Sequence, residues 1–465
     1  MSVPAILWLR QDLRLEDNPA LQAASSNPLI ALYIWDEKDP RSPGGASRWW
    51  LHKSLYVLKQ SYEERGVQFI FRRGNPLDVL KKLVDETKAC SIYWNRCYEP
   101  YAIKRDQEIK SYFKEKNLLC QSFKGVLLIE PWEVHTKSKE PYRVFTPFWK
   151  SLQSSSFSRP LPTPRLQGWK TQVASESLEE WGLLPILWGK GLEQIWQPGE
   201  KQAHVKLKQF LKDKVEDYAC KRDYPSENIT SLLSPHLHWG EITPLQIWNC
   251  VSYAHGEKAI PFLRQLGWRE FSYHLLFHFP ELPSKPMRSS FVHIPWEVDL
   301  EALKAWQKGQ TGYPLVDAGM RELWQTGGMH NRVRMIVASF LVKDLLLPWQ
   351  LGEEWFWDTL VDADLANNAV NWQWVAGCGA DAAPYYRIFN PVLQSQRFDP
   401  QGAYIKQWIP ELKDLNPPHI HCPWQAPSEI LHKAKVKLGV TYPFPIVDHA
   451  LARKRALAAF RIVSP

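Results

Sequence analysis

The sequence predicts an α/β N-terminal domain, a doubly wound parallel sheet of Rossmann-like type, followed by a large all-α C-terminal domain. Three observations carry that expectation. Residues 1–130 alternate short apolar runs with amphipathic stretches, the rhythm of βαβ units. Helical periodicity dominates from residue 201 onward. The 465 residues, 45% hydrophobic and 23% charged, suffice for two or three domains with a sizeable core.

The strand candidates, in order, are Ala5–Arg10, Leu29–Trp35, Val67–Phe71, Ser91–Trp94 and Leu118–Ser122. Helical patterns lie between them, clearest at Ser47–Arg65 and Pro76–Thr87. No GxGxxG follows the first strand; the loop Arg10–Asn18 reads RQDLRLEDN instead. A dinucleotide bound there in the usual way is not expected. Residues 131–200 fit neither period and hold Pro131, Pro141, Pro147, Pro160, Pro162, Pro164 and Pro185. They read as a long ordered connector. Beyond it, Leu207, Phe210, Leu211, Val215 and Tyr218 form one apolar stripe, and Met335–Val342 is apolar all round, as in a buried helix. Residues 201–465 are expected to form the helical domain.

The net charge of +8 permits a polyanionic partner without demanding one. The seven Cys show no CxxC pair and no zinc spacing, so no metal site is expected and free thiols in a cytoplasmic protein are the simplest reading. No run of 18 apolar residues is present, so no membrane span is expected, and no signal peptide is apparent. The 24 Trp are far above ordinary use, yet for any one of them packing is the plain explanation.

The most informative stretch is 361–391. Asp362 and Asp364 sit two apart, Asn368 follows, and Trp372 and Trp374 sit two apart. Ionisable, amide and indole groups at this density suit the surroundings of a polar aromatic ligand. A structural salt bridge is the plain alternative for Arg334 with the two Asp. The stretch resembles the flavin-binding signature of the DNA photolyase/cryptochrome family, and the resemblance extends over nearly the whole chain. It implies FAD as cofactor. The segment Tyr218, Arg222–Pro225 and Thr230–Leu237 resembles the family's phosphate-binding segment, where hydroxyls and backbone N–H groups suit a pyrophosphate. The resemblance places Tyr218, Thr230, Ser231, Leu232, Leu233, Ser234 and Phe262 at the cofactor. Two positions depart: Ile229 stands for the usual Gly, and Leu232 for a common Arg. Arg269, Arg334, Asp362 and Asp364 would orient the flavin and its ribose. Asn368 would face flavin N5, as in photolyases; plant-type cryptochromes tend to carry Asp there and insect ones Cys.

Helical spacing bears on a second site. Asn331 and Met335 are four apart, and Gln265 and Trp268 three apart, so each pair shares a helix face. Arg332 and Arg334 are two apart and diverge, as do Trp372 and Trp374. Met335 and the Trp residues taken singly read as core. By the resemblance, Trp268 and Trp374 flank a flipped thymine dimer, Asn331 and Met335 contact it, and Arg332 meets DNA phosphate. Gln265 stands where cyclobutane dimer photolyases usually carry Glu; (6-4) photolyases and animal cryptochromes carry Gln. The pair His330-Asn331 argues the other way, since (6-4) enzymes place two adjacent histidines there.

Trp372, Trp349 and Trp296 occupy the family's three tryptophan positions from flavin to surface. Arg10–Asn18 and Tyr93–Pro100 resemble its antenna-binding region, with Glu99 a candidate ligand for methenyltetrahydrofolate; a deazaflavin is the other antenna to consider. The four-cysteine cluster of some bacterial members lacks ligands here, because only Cys378 and Cys422 follow Cys250. The expectation is a monomeric class I type cyclobutane pyrimidine dimer photolyase acting on damaged DNA. Three alternatives stay open: a cryptochrome-type photoreceptor, a (6-4) photolyase, and a non-catalytic lesion binder. Asn368 and the lack of a long polar tail weigh against the first, Asn331 against the second, and the intact tryptophan positions against the third.

Overall fold

Strand β1 (Ala5–Leu9) is buried along its whole length, as suits a strand covered on both faces. With β2 (Leu29–Trp35), β3 (Gln68–Arg73), β4 (Ser91–Asn95) and β5 (Leu119–Phe123) it forms one sheet of order β3-β2-β1-β4-β5. Every pairing is parallel. Leu29–Trp35 falls on its expected bounds, and the other four strands lie a residue or two from theirs. The crossovers carry α1 (Pro19–Ala24), α2 (Gly45–Glu63), α3 (Pro76–Thr87) and α4 (Pro100–Glu115). Helix α3 illustrates local coding: Asn75 caps its first turn by accepting from the N–H groups of Leu77 and Asp78, and Pro76 follows. The protein is described by a computed structural model over residues 3–184, 188–382 and 386–463, so Pro185 lies outside the described residues.

The strand order reverses between β1 and β4, where doubly wound folds usually take a ligand. Here the loop Arg10–Asn18 fills that place with its own polar groups. Arg10 pairs with Asp106 at 3.0 Å. Asn95 donates to Asp12 and to Asn18, both at 2.7 Å. Arg14, fully buried, donates to the carbonyls of Gly125 and Gly240, which ties the sheet to the helical part.

Residues 131–200 carry α5 (Phe145–Gln153), one 3₁₀ turn at Glu179–Trp181 and α6 (Gly189–Ile195). Between these, Gly168 bridges to Leu29 and the Glu176 N–H donates to the Phe71 carbonyl, so the chain follows the sheet edge.

The helical part comprises α7 (Glu200–Asp213), α8 (Tyr218–Lys221), α9 (Ser234–His238), α10 (Pro244–His255), α11 (Ile260–His278), α12 (Leu300–Gln307) and α13 (Pro314–Thr326). It continues with α14 (Asn331–Ser339), α15 (Trp349–Thr359), α16 (Leu365–Ala376), α17 (Pro391–Phe398), α18 (Ala403–Trp408), α19 (Ser428–Lys433) and α20 (His449–Val463). The stripe from Leu207 to Tyr218 spans two helices, because α7 ends at Asp213. Met335–Val342 is not one α-helix: α14 ends at Ser339 and Phe340–Asp344 forms a π-helical turn, with the Leu345 N–H reaching back five residues to Phe340. That turn holds the buried Lys343, whose ammonium donates to the Arg387 carbonyl.

Most of the tryptophan surplus is packing, as expected. Trp8, Trp49, Trp50, Trp94, Trp306 and Trp349 are among the largest fully buried side chains. Among the described residues all seven cysteines are free and no helix is long and apolar enough to cross a membrane.

Candidate flavin and lesion site

Helix α16 lies against both α11 and α14, and these three helices bring most of the expected site residues together. Asp364 caps α16, accepting from the Asn367 N–H at 2.8 Å, and Gly377 (φ 91°) closes the helix in the left-handed region. The same carboxylate accepts the Tyr273 hydroxyl and lies 3.6 Å from His238. Burial pushes Asp364 up, but the hydrogen bond and charge of His238, the charge of Arg269 and the Tyr273 hydroxyl outweigh it. They hold the carboxyl well below the usual carboxylate range. Arg269, on α11, donates to the Val126 carbonyl at 2.9 Å and stacks on Tyr273. Arg334, on α14, grips Asp362 through one nitrogen at 2.9 and 3.0 Å. Asn368 is buried, and its amide nitrogen donates to the Glu353 carboxylate and carbonyl at 2.8 and 2.9 Å. Its amide oxygen is thereby turned away from Glu353.

The phosphate segment has a suitable local shape. Leu232 adopts φ 55°, a left-handed conformation rare for a side-chain-bearing residue, and Leu233 follows in the right-handed region. Successive residues of opposite hand turn their N–H groups into one concavity, which suits an anion. Thr230 and Ser231 are half-buried beside it and Ser234 is exposed, so hydroxyls remain accessible. The residues therefore fit the pyrophosphate of an FAD. Phe262 and Tyr218 are buried, pack with Phe210 at 4.4 and 5.6 Å between ring centroids, and share one cluster with Ile229 and Leu233 of that segment.

In the second group Gln265, Trp268, Arg332, Met335 and Trp374 are half-buried and Asn331 is exposed. Trp268 stacks flat on Phe145 of α5, centroids 3.8 Å apart. The Phe145 N–H binds the Asp381 carboxylate, and the Asp381 carbonyl accepts the Trp374 indole N–H at 3.1 Å. The two tryptophans thus belong to one wall, joined through Phe145 and Asp381. Asn331 reaches Met335 one turn along α14, as the spacing predicts. Gln265 folds its amide nitrogen back onto the Pro261 carbonyl at 3.3 Å. Arg332, expected to meet DNA phosphate, is held by Asp223 at 2.9 Å and lies over Phe398.

Trp372 and Trp374 diverge as expected: the first is 2% exposed, the second half-buried. Gly352 on α15 makes room for Trp372, because a Cβ there would sit 2.1 Å from its ring. Trp349, one turn before Gly352, is also 2% exposed, and Trp296 is half-buried beyond it. The three indoles run from core toward surface. Glu99 turns inward: it accepts from Gln11 at 2.9 Å, and burial raises its carboxyl, with the Asp364 charge adding to the effect.

Several participants escape sequence reading. Tyr273 was findable, lying one turn after Arg269. Glu353 and Phe145 reach the site from distant elements, with no spacing to signal them, and Asp381 follows α16 in the loop seven residues after Trp374. Glu322 is another: burial pushes its carboxyl up to about 7, against hydrogen bonds from Tyr404 and His330 and the charge of Arg334. The native protein keeps this proton where the unfolded chain, at 4.5, has lost it. The stabilisation is complete below pH 4.5 and lost as pH rises through 7. Glu322→Gln is expected to remove a decline of about 3 kcal/mol over that window, read from urea midpoints at pH 5 and pH 8.

Fold and site together suit a flavin-binding protein that also carries an aromatic wall of Trp268, Phe145 and Trp374. The family model described as the FAD binding domain of DNA photolyase matches residues 262–462, and the DNA photolyase model matches residues 5–165. A deoxyribodipyrimidine photo-lyase of Agrobacterium fabrum is 48% identical, covering 99% of this chain and 98% of its own. Cryptochrome-2 of Arabidopsis thaliana is 39% identical over 98% of this chain and 78% of its own. The crystal structure of a class III photolyase from Agrobacterium tumefaciens superposes with a TM-score of 0.97 at 48% identity, over 100% of this chain and 98% of the other. The chain belongs to the DNA photolyase/cryptochrome family, and FAD is its cofactor.

Proposed function

We propose that the protein repairs cyclobutane pyrimidine dimers in DNA under light. The observation that carries this reading is the wall that joins Trp268 to Trp374 through Phe145 and Asp381, on helices α11 and α16, which also carry Arg269 and Asn368, with Asp364 as the cap of α16. The motifs point to class I; the class III relative favours placing the chain in that class.

FAD, when bound in reduced form, supplies an electron on absorbing light. The chain's residues do the rest. Arg269, Arg334, Asp362 and Asp364 hold and orient, and the Thr230–Ser234 turn cradles the phosphates. Asn368 presents its amide oxygen because Glu353 takes its nitrogen. Photolyases are among the enzymes that work on a base extruded from the stack. The dimer stacks poorly in DNA, so extrusion costs less, and the indoles replace the lost stacking. Asn331 and Gln265 offer hydrogen bonds to pyrimidine edges. Arg332 reaches phosphate by exchanging its Asp223 partner, so binding weakens with salt. Light-dependent loss of the dimer from an oligonucleotide tests the reading; no loss with reduced flavin present contradicts it.

Gln265 bears on efficiency. Its amide nitrogen is spent on its own helix. A Glu there cannot donate to the Pro261 carbonyl and swings toward the pocket, where its carboxyl can share a proton with the dimer. Gln265→Glu is expected to raise the quantum yield of dimer repair at unchanged DNA affinity, measured by actinometry. No gain at equal affinity defeats that assignment. A photoreceptor role is the second reading, favoured by Gln265 and by the cryptochrome relatives.

A further inference from the structure

The loop between β2 and α2 leaves the sheet and seats itself on α15, which packs on α16. The Trp357 indole N–H donates to the Ser42 carbonyl at 3.0 Å, and the Gly45 N–H donates to the Asp358 carboxylate at 2.8 Å. A Cβ on Gly44 would collide with the Trp357 carbonyl. The loop thereby delivers one side chain into the helical part. The Arg41 guanidinium lies over the Trp357 ring, 4.7 Å from its centroid, and donates to Glu353 Oε1 at 2.5 Å. The same oxygen accepts from the Asn368 amide at 2.8 Å. A chain of three residues thus runs from the sheet domain through Glu353 to Asn368. The Glu353 side chain is 2% exposed and that of Arg41 30%, so this is not a fully exposed pair of little weight; a buried carboxylate needs its counter-charge. Burial raises the Glu353 carboxyl, Arg41 is the strongest influence drawing it back, and Glu354 pushes it up again. Charges on the neighbouring elements are engaged elsewhere. Arg48 of α2 donates to the Pro43 carbonyl, Lys343 of the π-helical turn donates to the Arg387 carbonyl, and Asp344 pairs with His449.

We propose that Arg41 is a positioning residue for the flavin: its charge keeps Glu353 ionised, and the ionised carboxylate holds and polarises the Asn368 amide, on the reading that Asn368 faces flavin N5. An amide whose N–H₂ group donates to a carboxylate carries more negative charge on its oxygen than one donating to a neutral acid, because bonds in such a chain polarise one another. The Asn368 oxygen is then a stronger acceptor for an N–H at N5. It favours the flavin forms that carry that proton over the oxidised form that lacks it. Without the Arg41 charge, burial makes Glu353 take up a proton at higher pH, and the acceptor weakens there. The second bond of the Asn368 amide, to the Glu353 backbone carbonyl at 2.9 Å, does not depend on that charge. The amide therefore stays in place, and only its strength as an acceptor changes.

The test uses the full FAD-loaded protein. Arg41→Gln keeps a donor and removes the charge; Arg41→Lys keeps the charge and changes the shape. Two readouts are followed through pH: the infrared band of the protonated Glu353 carboxyl, identified by its loss in Glu353→Gln, and the reduction potential of the bound flavin. The wild type is expected to lack the band at neutral pH. In Arg41→Gln the band is expected to appear about one to three pH units higher than in the wild type, with a lower flavin potential over the same window. Arg41→Lys is expected to follow the wild type in both. A purely structural role, docking the loop, would lower the melting temperature of both variants and leave the titration where it was. Titration of Glu353 at the wild-type pH in Arg41→Gln, or a protonated Glu353 in the neutral wild type, overturns the proposal. A shifted band with an unshifted potential overturns the link to the flavin, and Asn368→Ala shows where it breaks. If Asn368→Ala changes the potential, the place of Asn368 at the flavin stands and the role of Arg41 alone falls. If it changes nothing, the place of Asn368 falls as well.

Discussion

Trp296→Phe is expected to leave the oxidised flavin unreduced under blue light, while repair by chemically pre-reduced protein stays at the wild-type level. The expectation follows from where the three indoles lie. Trp372 and Trp349 are each 2% exposed, and Trp296, beyond them, is half-buried. A phenyl ring is far harder to oxidise than an indole, so the substitution removes the last station and keeps most of the packing. Because Trp296 is only partly buried, the fold is spared; the same change at Trp372 would disturb its contacts with Phe356 and Trp306. Photoreduction is read from the loss of the oxidised flavin bands under steady light, and its rate should fall by more than an order of magnitude. Unimpaired photoreduction would show that the path runs elsewhere.

Asp364→Asn has the second large effect, and it falls on cofactor retention. The native carboxylate caps α16, accepts the Tyr273 hydroxyl and balances the nearby charge of Arg269. Asn can keep the cap, but it carries no charge and directs one N–H₂ group toward donors. Removing one partner of a buried charge cluster costs about 3 kcal/mol, which corresponds to about 100-fold in affinity if it falls on the cofactor. Fluorescence titration of apoprotein with FAD measures the loss. Since α16 also carries Asn368 and Trp372, the flavin that does bind should photoreduce more slowly. A variant that binds FAD as tightly as wild type would contradict the role given to Asp364.

The sheet was legible because its inner strands are buried on both faces, and β1 and β2 read as unbroken apolar runs, AILWL and LIALYIW. Strand ends were less so, since one residue beyond Leu9 or Phe71 changes no pattern. The pairings Asn331–Met335 and Arg334–Asp362 were legible too, the first from helical spacing, the second from the family motif. Three things were not. The π-helical turn at Phe340–Asp344 leaves no mark on an apolar run. Helix α5 hides in a proline-rich segment, although its Phe145 forms the far face of Trp268. And Glu353, which sets the direction of the Asn368 amide, lies fifteen residues away on another helix. Side-chain direction also eluded the sequence: Glu99 turns inward to Gln11, and Arg332 closes on Asp223. Each of these depends on contacts between elements, which no local period encodes.

The central claim is light-driven repair of the cyclobutane dimer. It is tested most directly by illuminating the protein, with its flavin reduced, on two oligonucleotides, one carrying a cyclobutane thymine dimer and the other a (6-4) product. Light-dependent restoration of the dimer substrate alone is the predicted result. Restoration of the (6-4) product, or of neither while the flavin still photoreduces, would contradict it.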